Sequence, residues 1–104
     1  MQSINYELII VISNQGFVDE IMDTAKKAGA RGGTIIHGKG TADEETAKFF
    51  GLTIQPDKEL LLIVTKTIEK NKIMQAIVDN HGLDTNSRAL CFSLPVTDVC
   101  GFNF

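Results

Sequence analysis

Glu7-Leu8-Ile9-Ile10-Val11-Ile12 is the stretch that decides the fold. Ile and Val dominate it, which favours a buried strand. A partner run, Glu59-Leu60-Leu61-Leu62-Ile63-Val64-Thr65, has the same character. Both are apolar at consecutive positions. A strand with one wet face should alternate between apolar and polar residues, so both faces of these strands should be covered. Neither run approaches the roughly 20 residues that a membrane helix requires.

Working outward, Ser13-Asn14-Gln15-Gly16 is rich in turn formers, and Asn14 is an expected helix N-cap. Phe17 to Ala28 reads as a helix with Phe17, Ile21, Ala25 and Ala28 on one face and Met22 beside them. Asp19 and Glu20 in its first turn and Lys26 and Lys27 in its last suit the helix dipole, and Gly29 suits the position after the last turn. Gly32 to Gly40 has a β-branched centre, which predicts a glycine-flanked strand. Thr41-Ala42-Asp43-Glu44 fits a capping box opening a short insert helix, Ala42 to Phe50, closed by Gly51. Gln55-Pro56-Asp57 leads into the second apolar strand. Thr67 is an expected cap for a helix running to about Asn80, with Ile73, Ile77 and Asn80 on one side and Met74 and Val78 adjacent, and Gly82 ends it. Leu83 to Ser87 reads as a polar loop and Ala89 to Leu94 as a fourth strand stopped by Pro95.

The order is strand, helix, strand, insert, strand, helix, strand, which predicts an α+β, ferredoxin-like βαββαβ sandwich over residues 1–104 as one domain. Two helices can cover only one face of a four-stranded sheet. The other face is therefore expected to be covered by another subunit. At 104 residues the chain is small enough for such help to matter. Cys91 and Cys100, its only cysteines, read as free thiols, and no leader-like segment opens the sequence, so a cytoplasmic location is expected. Ten basic against thirteen acidic residues, net -3, argue against a nucleic-acid partner. Insertion into a membrane is not expected either.

Gly33-Thr34-Ile35-Ile36-His37-Gly38-Lys39-Gly40 resembles a phosphate-binding loop but has glycine where the motif needs Ser or Thr after the lysine, and its centre is strand-forming. Two readings stay open: an anion nest beside Lys39, or a plain strand-to-insert junction. Lys39, ending the second strand, and Arg88, beginning the fourth, are candidate phosphate or carboxylate ligands that a subunit boundary could bring together. His37 is a candidate ligand or interface residue, since a general base needs an oriented partner. No serine-hydrolase pattern surrounds Ser13, Ser87 or Ser93. Phe49 and Phe50 are the candidate apolar surface of the insert. No catalytic residue, resident metal site or required cofactor is expected.

Gly29-Ala30-Arg31-Gly32-Gly33-Thr34, Lys39-Gly40 and the insert resemble the PII signal-transduction, or nitrogen regulatory, family over about Ile4 to Phe102. In that family a glycine-rich segment also runs from the first helix into the second strand and on through Lys-Gly into a mobile T-loop. Phe49-Phe50-Gly51-Leu52 and Leu94-Pro95-Val96 look most like members with a shortened T-loop, here 41–55. The resemblance implies a homotrimeric, non-enzymatic regulator that binds an adenine nucleotide (ATP, ADP or AMP) or another small anion between subunits and engages a membrane transporter or metabolic enzyme through the T-loop. By position Thr34 matches a family threonine near the nucleotide base, Lys39 and Gly40 match the start of the T-loop, and Arg88 falls where the family has a phosphate-binding lysine; His37, Gly38 and Ser87 are further candidate ligand contacts. This chain departs from the family pattern at Thr85-Asn86-Ser87, where the family has Gly-Asp-Gly, and at Asp57, where it has a lysine that contacts 2-oxoglutarate. The modified T-loop tyrosine is missing, and no Arg or Lys follows Arg88. Two other readings of the architecture are an acylphosphatase-like enzyme, which needs an arginine in the loop at Ser13 to Gly16, and a metal-handling trimer of the divalent-cation tolerance type, with Cys91, Cys100 and His37 as ligands.

Overall fold

The computed structural model describes residues 5–41 and 57–101. Strand β1 (Tyr6–Asn14) leads to helix α1 (Val18–Lys27) and strand β2 (Thr34–Lys39). Strand β3 (Asp57–Lys66), helix α2 (Thr67–His81) and strand β4 (Leu90–Val96) complete the order. The strands form one sheet in the order β2-β3-β1-β4, and every neighbouring pair is antiparallel. This is the expected ferredoxin-like βαββαβ sandwich. The predicted insert helix, with Phe49, Phe50, Gly51 and Pro56, lies outside the described residues.

The doubly apolar strands divide their residues by parity. Ile9 and Val11 of β1 and Leu61 and Ile63 of β3 turn to one face. There they pack with Ile21 and Ala25 of α1 and Ile73 and Ile77 of α2 in a single buried core. Burying each of these large aliphatic side chains contributes about 1.5–3 kcal/mol. The opposite face is apolar too. Ile36, Leu60, Ile12 and Leu90 form one cross-strand row. Thr34, Leu62, Ile10 and Phe92 form the next, and Val64, Leu8 and Leu94 a third. No described element covers this face, and Leu90, Leu94, Ile36 and Phe92 on it are 59%, 49%, 43% and 40% exposed.

Several local expectations are corrected. Asn14 does not cap α1: it stays in β1 opposite Lys58, and the cap position falls to Phe17, which makes no side-chain cap bond. Thr67 is the first residue of α2 rather than its cap. Its N–H is taken by Asn5 O at 2.9 Å, so Lys66, in an extended conformation, occupies the cap position. β4 runs through Pro95 to Val96. An edge strand tolerates proline because the missing N–H need not break a central ladder. On α2, Ile73 and Ile77 are buried, whereas Val78 and Asn80 are exposed. Asn80 turns outward and donates its amide to Ala76 O at 2.8 Å. Gly29, at φ +121, sits where α1 ends and a residue with a Cβ would be strained, as its position in the sequence predicts.

Candidate functional site

The antiparallel register gathers chain features at one end of the sheet. β1 ends there at Asn14, β2 ends there at Lys39, β3 begins there opposite both, and the loop before β4 arrives beside Ile12. Three cations therefore share that end: Lys39, Lys58 and Arg88. Ion pairs among the described residues involve His37 with Glu59 and Lys70 with Glu7, so none of the three has a described carboxylate partner. Lys39 and Arg88 stand on opposite edges, β2 and β4, separated by about 14 Å from three inter-strand steps. Within one chain they do not meet.

Arg88 is the least ordinary of the three. Its backbone φ is +46, in the left-handed region that L-residues other than Asn and Asp rarely adopt. Its Nη1 is buried with no hydrogen-bond partner among the described residues. An unpaired buried donor is costly and calls for an explanation, of which a bound acceptor is one. Arg88 N–H donates to Thr85 O at 3.2 Å, closing the tight turn that sets this conformation. Ser87, just before it, is 3% exposed, at the base of the loop.

Lys58 was missed by sequence reasoning. Strand alternation turns it to the open face, away from Asp57 and Glu59. Its Nζ donates to Asn14 Oδ1 at 2.6 Å. Gly40 leaves room for its stem: a Cβ there would stand 3.0 Å from Lys58 Cε. Asn14 in turn donates Nδ2 to Asn86 O at 3.0 Å and its backbone N–H to Ser87 O at 2.9 Å. One asparagine thus connects Lys58 to the loop that carries Arg88. The long-range pairing that makes this network depends on register, which no local motif signals.

On the helix side of the same end, Glu59 is 7% exposed. Its Oε1 accepts the Gly16 N–H at 2.7 Å, and its Oε2 lies 3.5 Å from His37 Nδ1. Gly16, at φ +100, completes the turn that presents this N–H. Glu59 is thus the oriented partner of His37, but the His37 side chain is 73% exposed. The Ser13 to Gly16 loop is committed to such contacts, with Gln15 N–H also donating to Asp57 O at 3.3 Å, and it carries no arginine. Thr34 pairs with Leu62 near mid-sheet, about 16 Å along β2 from Lys39 at 3.3 Å per residue. Gly38 lies opposite Lys58. Cys91 is on β4, the far edge from His37. Among the described residues no group of three or more His, Cys, Asp or Glu side chains is placed to hold a metal. Burial pushes the Cys91 thiol above the usual cysteine range. Among the described residues no helix is long and apolar enough to cross a membrane.

No family model and no curated protein matches the sequence. Solved structures match the fold. A PII-like signalling protein of Thermus thermophilus superposes with TM-score 0.68 at 14% identity, over 92% of this chain and 90% of that one. The Bacillus subtilis GlnK–ATP complex gives 0.65 at 11% identity, over 93% and 86%. A Bacillus cereus protein related to NIF3 gives 0.72 at 13% identity over 94% of this chain, which spans 27% of that longer one. The chain has the fold of the PII-like signalling proteins, and the last comparison shows that fold set within a larger protein.

Proposed function

We propose that the chain is a non-enzymatic, PII-like signalling regulator that acts in the cytoplasm as a homotrimer. It binds an adenine nucleotide (ATP, ADP or AMP) or another small anion in clefts between subunits, as effector rather than cofactor. It passes the signal to a transporter or metabolic enzyme through the 41–55 segment, with Phe49 and Phe50 as the apolar contact. The observation that carries the reading is Arg88, a strained residue with a buried guanidinium nitrogen that has no partner among the described residues. Strain and an unmet donor persist where function requires them. A phosphate or carboxylate oxygen would complete the guanidinium in a charge-assisted bond.

The apolar face that no described element covers supports the trimer. Soluble monomers seldom leave so continuous a patch in water, and copies packed face to face would bury it. Association also answers the separation of Lys39 from Arg88. They occupy the same end of opposite sheet edges, so the Lys39 edge of one copy set beside the Arg88 edge of the next brings both to one cleft. Lys58 lies at the same end of the sheet, on the face opposite to that of Lys39. The fold shared with a GlnK solved in complex with ATP supports a nucleotide as the anion. Signalling then requires that the bound and free states of the loop differ in affinity for the effector.

Calorimetric titration with ATP, ADP, AMP and 2-oxoglutarate tests the reading. The expected result is saturable binding of at least one adenine nucleotide, lost in Arg88→Gln. Absence of heat from every ligand refutes effector binding.

A further inference from the structure

We infer that Asn14 is a positioning residue that couples Lys58 to the Arg88 loop, so that a change at either cation is felt at the other. Its bearing on effector binding rests on the function proposed above; the link itself is a property of the free protein.

Asn14 is 6% exposed, and its bonds reach in two directions. Its carbonyl oxygen receives Lys58 Nζ at 2.6 Å, its amide nitrogen donates to Asn86 O at 3.0 Å, and its backbone N–H donates to Ser87 O at 2.9 Å. One planar amide therefore has an ammonium on its oxygen and the loop carbonyl on its nitrogen. A cation on the oxygen draws electron density from the nitrogen and strengthens the N–H donor, since chained hydrogen bonds polarise one another. The amide oxygen is neutral, so it satisfies the geometry of Lys58 without cancelling its charge. An anion that attracts Lys58 therefore competes with Asn14, and the hold on Asn86 O weakens as Lys58 withdraws. Asn86 lies two residues before Arg88, inside the turn closed by Arg88 N–H and Thr85 O.

An asparagine serving α1 alone would cap that helix. This one does not, and the helix begins without a side-chain cap. Apart from Lys58, Asn14 draws the other segments at this end together through its neighbours: Gln15 N–H reaches Asp57 O at 3.3 Å, and Gly16 N–H reaches Glu59 at 2.7 Å. Those bonds fix β3 to the turn after β1, whereas the Asn14 side chain continues from β3 to the loop before β4.

The test is amide hydrogen exchange in the free protein, with thermal melts to establish that each variant is folded. Lys58→Met removes the ammonium and keeps the stem. Arg88 N–H is expected to exchange up to about twofold faster, since the ammonium strengthens the Asn14–Asn86 bond by about 10–30%. Asn14→Ala removes both the acceptor for Lys58 and the donor to Asn86 O. It is expected to speed exchange at Arg88 by about threefold to tenfold, the factor carried by one hydrogen bond of ordinary net strength, with no further change when Lys58→Met is added. Unchanged exchange in Lys58→Met overturns the link. So does an equal effect of Lys58→Met with and without the Asn14→Ala substitution. A parallel titration of the wild-type chain with ATP, ADP, AMP and 2-oxoglutarate separates the two claims: absence of heat from every ligand refutes the proposed effector binding, and the exchange series alone still decides the role of Asn14.

Discussion

Replacing Arg88 with glycine should make the protein more stable and less able to bind its effector. The left-handed backbone at φ +46 costs an L-residue about 1–2 kcal/mol. Glycine adopts it freely but loses about 0.5–1 kcal/mol more chain entropy on folding. The net relief of strain is therefore somewhat below 1 kcal/mol. Removing the guanidinium also removes a buried donor without a partner among the described residues, worth about 1–3 kcal/mol. Arg88 is only half-buried, which favours the lower end, for a total gain of about 1–2 kcal/mol. For a domain of this length each kcal/mol moves Tm by about 4–8 °C. Arg88→Ala divides the two contributions, since it removes the charge and keeps the strain; it should melt below Arg88→Gly. The assay is thermal unfolding by circular dichroism without ligand, all variants at one protomer concentration because association also shifts Tm. The same proteins are titrated with ATP, where loss of a charge-assisted bond of about 1.5–3 kcal/mol weakens binding by roughly ten- to a hundredfold. If Arg88→Gly melts lower than the wild type, or melts higher and binds ATP undiminished, the reasoning about Arg88 is refuted.

Phe92→Glu places a charge in the middle of the open sheet face, where Phe92 stands opposite Ile10; size-exclusion chromatography with light scattering should show dissociation to folded monomers. Ile73→Ala opens a cavity beneath α2 at a fully buried position and should cost about 2–5 kcal/mol by denaturant unfolding. The exposed Cys100 should alkylate well before the half-buried Cys91. Because burial raises the Cys91 pKa and the thiolate is the reactive form, labelling of Cys91 should keep increasing at alkaline pH beyond the point where an ordinary thiol has levelled off, measured by mass spectrometry.

The fold was legible because its signals are local. Leu8 to Ile12 and Leu60 to Val64 announce strands, Ile21 and Ala25 fix the inner face of α1, and Gly29 marks its end. Even the missing cover for the second face could be read from the absence of alternation. The site was less legible because register made it. Asn14 and Thr67 have the chemistry of helix caps, yet a lysine across the sheet engages one and Asn5 O takes the backbone N–H of the other. Lys58 follows Asp57 in the sequence with no motif to mark it; its pairing with Asn14 across the sheet shows what it reaches. Arg88 was identifiable as a cation at a strand start, but its strained backbone and unmet nitrogen arise from the turn around it. Glu59, within the most apolar strand, becomes the partner of Gly16 and His37 only when β1 and β2 are laid on either side of β3.

Native mass spectrometry, with and without ATP, tests the central claim most directly. The account predicts an assembly of three 11.4 kDa chains that takes up ATP, and that loses the nucleotide but not the assembly in Arg88→Gln. A chain that remains a monomer, or a trimer that takes up no adenine nucleotide or other small anion, contradicts it.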